Sequence, residues 1–127
     1  MAKEQAGAKA IQWLPEPEEH NYPAAQSYLS LLHAPEKVDG LIAALRTAPV
    51  VRFKAKDLFR ASRLSLLGVS NSHVETDNRK IMKGTSLSPL LLVRDEACGK
   101  VVIADGYHRL CSVYLFDEDA WIPCKIV

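Results

Sequence analysis

A chain of 127 residues matches one average domain of about 100–150 residues, which excludes a second full-sized domain. Apolar residues at 48% and charged residues at 24% sit near the globular averages and exclude a disordered, collagen-like or coiled-coil chain. The net charge of +1, from 16 Lys and Arg against 15 Asp and Glu, excludes by itself a strongly basic nucleic-acid coat or an acidic tail protein.

No run approaches the roughly 18–20 apolar residues of a membrane span, and the opening MAKEQAGAKAIQ lacks the apolar core of a signal peptide. A soluble, cytoplasmic protein with no membrane association is therefore expected. Cys98, Cys111 and Cys124 are an odd number without a C-x-x-C pair, a poor disulfide framework that fits a reducing compartment.

Residues 1–22 read as an arm, with Pro15, Pro17, the acidic Glu16, Glu18 and Glu19, and few apolar anchors beyond Trp13 and Leu14. That pair is expected to dock on the body, or else on a partner subunit. Residues 23–49 read as a helical hairpin. Its first helix carries Tyr28, Leu31 and Leu32 on one face. Its second starts at Pro35 with Glu36 in the first turn, and Val38, Leu41, Ile42 and Leu45 form an i, i+3, i+4, i+7 stripe that ends before Pro49. Residues 50–127 change period. Val50, Val51 and Phe53 predict a strand, and Asp57-Leu58-Phe59 a helical turn. Ala61–Asn71, with Gly68, Ser70 and Asn71, predicts an irregular loop. A helix is predicted over Ser72–Lys83, opened by a Ser72/Glu75 capping box and stopped by Gly84. Pro89 then introduces a strand over Leu90–Val93, a turn at Glu96–Gly99 and a returning strand over Lys100–Ala104, a hairpin whose apolar runs predict a central place in the sheet. A helix from Tyr107 to about Leu115 and a last strand over Trp121–Val127 follow, with Pro123 suiting an edge or a strand start. The order gives one compact α+β domain with a small mixed sheet, preceded by the helical hairpin.

The chemistry-bearing stretch is Val101-Val102-Ile103-Ala104-Asp105-Gly106-Tyr107-His108-Arg109-Leu110. An apolar strand runs into Asp-Gly and straight into a helix, so free N–H groups and the helix dipole meet whatever anion sits at that sheet end. Gly106 permits close backbone approach, Arg109 offers a planar fork of donors, and His108 titrates near neutral pH. The plainer alternative is that Asp105 caps the helix, Gly106 makes the turn, and His108 and Arg109 pair with Asp117 or Glu118.

From about Val50 to Val127, some 60% of the chain, these elements resemble the superfamily shared by the ParB N-terminal domain, sulfiredoxin and the free-serine kinases. Its signature is a strand followed by Gly-x-(His/x)-Arg at a helix N-terminus. The parts that carry the likeness are Val51–Arg60, Val74–Lys83, the hairpin Leu90–Ala104, the box Asp105-Gly106-Tyr107-His108-Arg109 and the strand Ile122–Val127. The resemblance implies a ParB/sulfiredoxin-like fold and a phosphate or nucleotide pocket built by Asp105, Gly106, Tyr107, His108 and Arg109. Arg60 corresponds to the family's basic residue after the first helical turn, with Arg63 as its substitute. Glu75 or Asp77, with Asn78 beside them, stands where the family keeps a metal-binding or catalytic residue. Only one of Glu75 and Asp77 can face the site, being about 200° apart on a helix. Mg²⁺ with a nucleoside triphosphate is the implied cofactor. Three departures matter. Tyr107 stands where sulfiredoxin has its reactive cysteine, so that chemistry is not expected. The chain ends at Val127 without the helix-turn-helix of ParB, so DNA is not an expected partner. The helical hairpin lies outside the shared core.

Charge supports an anion site independently. Residues 1–49 carry −2, residues 50–94 carry +6 and residues 95–127 carry −3, so Arg60, Arg63, Arg79, Lys80 and Lys83 can focus positive potential, or can form a solvated face paired with the acidic flanks. Cys111, three residues after His108, matches no standard zinc spacing with Cys98 or Cys124, and no metal bound by the protein alone is expected. His73, near a predicted helix start, is a minor site candidate. Two functions follow: a nucleotide- or phosphate-binding protein acting as a phosphotransferase or nucleotide hydrolase, and a non-catalytic regulatory module that contacts a second copy or a partner protein through residues 1–49. Nucleic-acid binding ranks third, since only Phe53 and Phe59 offer stacking rings between residues 50 and 94.

Overall fold

The computed structural model describes residues 10–68 and 71–127. Among them run helices α1 (Asn21–Leu29) and α2 (Pro35–Thr47), strand β1 (Val51–Lys54), helices α3 (Ala55–Ser62) and α4 (Ser72–Lys83), strands β2 (Leu90–Asp95) and β3 (Lys100–Asp105), helix α5 (Tyr107–Phe116) and strand β4 (Trp121–Ile126). The α+β class and the element order are as the sequence predicts. Residues 1–9 of the arm and Val69 and Ser70 of the predicted loop lie outside the described residues.

The four strands form one mixed sheet in the order β1-β4-β2-β3. β4 is antiparallel to β1 and parallel to β2, and β2 is antiparallel to β3. The expectation of a central hairpin holds for β2 alone, because β3 is an edge strand. β4, for which Pro123 suited an edge or a strand start, is interior, with Pro123 as its third residue. Proline is tolerated there because the parallel ladder begins only at Leu90↔Cys124, one residue past it, so the missing N–H falls before that ladder starts.

Helices cover both faces. On one, Leu90, Leu92, Ile122 and Cys124 of the sheet pack with Leu58 of α3, Ile81 of α4, and Leu110 and Val113 of α5. On the other, Leu91, Val93 and Ala104 pack with Tyr22, Ala25 and Leu29 of α1 and Val38, Ile42 and Leu45 of α2. Consecutive β2 residues go to opposite cores, which is why the Leu90–Val93 run is apolar throughout.

Of the stripe predicted for α2, Val38, Ile42 and Leu45 are buried and Leu41 is half-buried, with Pro35 in the first turn. The face predicted for α1 is not the buried one. Tyr22, Ala25 and Leu29 are buried, whereas Leu31 is 80% exposed and Tyr28 and Leu32 are about half exposed. The helix ends at Leu29, so Leu31 and Leu32 cannot continue its stripe. A second correction concerns α4. Asn71, not Ser72, is its cap: the Asn71 side chain accepts hydrogen bonds from the N–H groups of His73 and Val74, at 3.0 and 3.2 Å. Gly84, at φ 75°, closes the helix as predicted.

The arm docks on the body. The Leu14 N–H donates to the Leu87 carbonyl and the Leu87 N–H to the Gln12 carbonyl, both at 2.8 Å, with Trp13 bridged to Leu87 and packed against the first core. Ser88 then accepts from the Glu18 N–H and donates to the buried Asn21 side chain. Lys125, 3% exposed, reaches from β4 to the Arg46 carbonyl in the last turn of α2 at 2.9 Å and to Glu16 of the arm at 3.1 Å. Its cation meets the negative end of the α2 dipole.

Candidate functional site

At the C-terminal end of edge strand β3 the chain turns through Gly106 into α5. Gly106 has φ 112°, and a Cβ there would lie 2.6 Å from Leu90 Cγ and 2.8 Å from Arg109 Nη2. Only glycine supplies both the conformation and the space. No side chain caps this helix, as none caps α1, α2 or α3: Gly106 is the cap residue and offers none, whereas Asn71 caps α4. The positive end of the α5 dipole thus lacks a built-in anionic or polar acceptor.

The first turn of α5 carries the three chemically distinctive side chains. Arg109 Nη2 donates to Asp105 Oδ2 at 2.8 Å, with both side chains largely buried. This i, i+4 pair replaces the pairing with Asp117 or Glu118 considered above. Arg109 Nε is fully buried and has no hydrogen-bond partner among the described residues. Buried polar nitrogens are rarely left so, because an unmade bond there costs about 1–3 kcal/mol. The His108 ring lies 4.7 Å from that of His73 on α4, centroid to centroid. Burial, and then the neighbouring His73, hold the His108 imidazole below its ordinary value, with Asp77 opposing, which favours its neutral form. The Tyr107 ring lies 5.6 Å from that of His108, centroid to centroid. Its hydroxyl donates to the Ser65 carbonyl, tying the loop after α3 to the start of α5.

Helix α4 lies against α5, joined to it where the buried Ser112 hydroxyl donates to the Val74 carbonyl at 2.9 Å. It separates the two acidic candidates. Glu75 pairs with Arg79 at 3.0 Å on an exposed face. Asp77 is half-buried and faces the site: burial pushes its carboxyl above the usual value, and Arg109, Lys80, His108 and His73 offset this only in part. Asp77, His108, His73, Arg109 and Lys80 therefore form one cluster, joining a carboxyl held high, an imidazole held low and two permanent cations. Such opposed shifts mark groups suited to move protons.

Arg60 and Arg63 are not brought to this cluster. Arg60 is exposed and pairs with Asp57 on its own helix at 3.6 Å. Arg63, in the left-handed conformation that ends α3, donates to the Gly99 carbonyl at the hairpin turn, the opposite end of β3 from Asp105. Much of the basic middle segment is likewise engaged elsewhere, Lys56 with Asp119 at 2.7 Å and Lys54 over the Trp121 ring. Of that segment's basic residues, Lys80 is the one whose charge acts on Asp77. Cys111 is buried, accepts from the Leu67 N–H at 3.5 Å, and has its thiol pushed up by burial, which suits packing rather than nucleophilic attack. The Ser112–Val74 link and the Tyr107–Ser65 bond carry no sequence signal, since each joins residues far apart in the chain.

Among the described residues no three His, Cys, Asp or Glu side chains are grouped as a metal site. Asp77 is the single acidic candidate facing the cluster with no basic side chain bonded to it. One carboxylate added to ligand phosphates is how Mg²⁺ is commonly held, so the residues fit an ion that arrives with its ligand and not a cage that binds it alone. No protein-family description, curated protein or solved structure matches the chain.

Proposed function

We propose that the chain is a ParB/sulfiredoxin-like protein that binds a phosphate-bearing ligand, a nucleotide, at the start of α5 and transfers or hydrolyses its phosphoryl group. The observation that carries this reading is the buried, unpartnered Arg109 Nε beside a helix N-terminus left uncapped by Gly106. A phosphate oxygen would satisfy that nitrogen and meet the helix N–H groups and dipole together. Gly106 lets the backbone approach it closely. His108, whose neutral form burial favours, donates or takes a proton, and Asp77 serves as general base or as the carboxylate beside Mg²⁺. The helical hairpin supports an active site over a blocked one, because α1 and α2 pack on the opposite face of the sheet from α5.

A second reading, a non-catalytic module that retains the fold, draws on one observation: Asp105 already occupies one guanidinium nitrogen of Arg109. The two separate by measurement. Isothermal calorimetry and thermal shift with ATP, CTP, GTP and pyrophosphate, with and without Mg²⁺, should show one saturable ligand. At 100-fold excess over Kd it stabilises the protein by about 2.7 kcal/mol. Arg109→Lys, which keeps charge but loses the fork, should weaken binding at least tenfold, and Asp105→Asn should strengthen it several-fold. Absence of any shift in the parent protein, or equal binding by Arg109→Lys, discards the phosphate site. Binding without turnover supports the non-catalytic module.

A further inference from the structure

A second feature lies apart from the α5 start. Where the helix layer diverges from the sheet, a cleft of about 590 Å³ opens between the α1–α2 connection and the turn end of the β2–β3 hairpin. Its inner wall is apolar, Leu41, Val93, Val102 and Val127, with the half-exposed Leu32 at the rim. Leu41, Val102 and Val127 are the half-buried margin of the second core, so the cleft continues that core outward. The mouth carries Lys37 and His33 from the helix side and Arg94 and Lys100 from the sheet side. Among the described residues, no carboxylate pairs with Lys37, Arg94 or Lys100. Asp95 and Glu96 also line the cleft, and Asp95 Oδ1 accepts the Cys98 N–H of the hairpin turn at 3.2 Å, so the side chains there are three permanent cations and two carboxylates.

A concave site of 300–1,000 Å³, apolar within and carrying a few polar groups at its opening, is the usual form of a small-molecule site. The chemistry of the two zones defines the ligand. The inner wall offers no hydrogen-bonding side chain, so what enters must be hydrocarbon. The mouth places Lys37 of the helix layer and Lys100 of the sheet layer, neither paired with a carboxylate among the described residues, around one opening, which suits an anionic head. We propose that this cleft binds an amphipathic carboxylate, an acyl chain with its head held between Lys37 and Lys100. This site is independent of the phosphate reading, since Lys37 and Lys100 stand at the hairpin-turn end of β3 and Asp105 at the other.

Decanoate, below its micelle concentration, is the probe, with decanol as the headless control. Methyl-resolved NMR on the full chain should show saturable one-to-one shifts at Leu32, Leu41, Val93, Val102 and Val127, and decanol should bind at least tenfold more weakly. Lys37→Glu/Lys100→Glu, both changes at the cleft mouth, should weaken decanoate at least tenfold and leave any pyrophosphate binding intact. A protein that does not shift these methyls, or that binds decanol and decanoate alike, overturns the proposal. So does an acidic amphipathic peptide that outcompetes decanoate. Dimerisation in sedimentation that protects the same methyls does so too, by assigning the cleft to a second copy.

Discussion

Helices α4 and α5 lie side by side on one face of the sheet, and their N-termini solve one problem in opposite ways. Each begins with N–H groups that lack intrahelical partners. At α4 the chain closes the end itself, with Asn71 accepting from two successive N–H groups. At α5 the cap residue is Gly106, which contributes a backbone conformation and no acceptor, and the adjacent Arg109 keeps a buried nitrogen unsatisfied. Helices α1, α2 and α3 also begin without a side-chain cap, so what sets the α5 start apart is the buried, unpartnered Arg109 nitrogen beside it. Under the proposed function, the α5 start, with an arginine and a histidine in its first turn, would be completed by the ligand's phosphate.

Three substitutions test that contrast. Gly106→Ala should have the largest effect, about 2–5 kcal/mol of lost stability, since it combines a strained positive φ with overpacking against Leu90 and Arg109. Denaturant unfolding measures it, and an effect below 1 kcal/mol would mean that the turn adapts and that glycine is not required. Asn71→Ala should cost about 1 kcal/mol, as lost caps do, and leave anion affinity unchanged. A loss of pyrophosphate binding in that variant would show that the two helix ends are not separate in role. Asp77→Asn should have the smallest effect on stability and the opposite sign. Because burial raises the Asp77 carboxyl in the folded protein, the folded state holds its proton more tightly than the unfolded chain does, and stability declines as pH rises from the unfolded value through the folded one. The neutral amide escapes that decline. The variant should melt higher at pH 7, lose the advantage below the ordinary carboxylate value of 3.8, and lose turnover. A lower melting temperature at pH 7 would place Asp77 in a stabilising role.

How far the sequence reaches differs between these regions. The α2 stripe was legible because a 3.6-residue repeat with a proline at its start leaves one way to bury the apolar side chains. The α1 face was not, because Tyr28, Leu31 and Leu32 keep an apolar spacing past the point where the helix stops. At the site, Gly106, His108 and Arg109 were readable as a local string, and three of their companions, His73, Asp77 and Lys80, were candidates with no assigned direction. The +6 segment misled in part: Arg60, Arg63 and Arg79 meet Asp57, the Gly99 carbonyl and Glu75, partners that linear charge counting does not assign.

By itself the sequence determined the α+β class, the order of the elements and the strand-Gly-helix junction, because periodicity, turn residues and glycine conformation act over a few neighbours. Only the tertiary structure decided that β4 enters between β1 and β2, that Asp77 and not Glu75 turns toward Arg109, and that His73 meets His108. Those outcomes depend on how α4 rolls against α5 and on which strands share a ladder. Both are set by burying two cores at once, a condition on the whole chain that no local window contains.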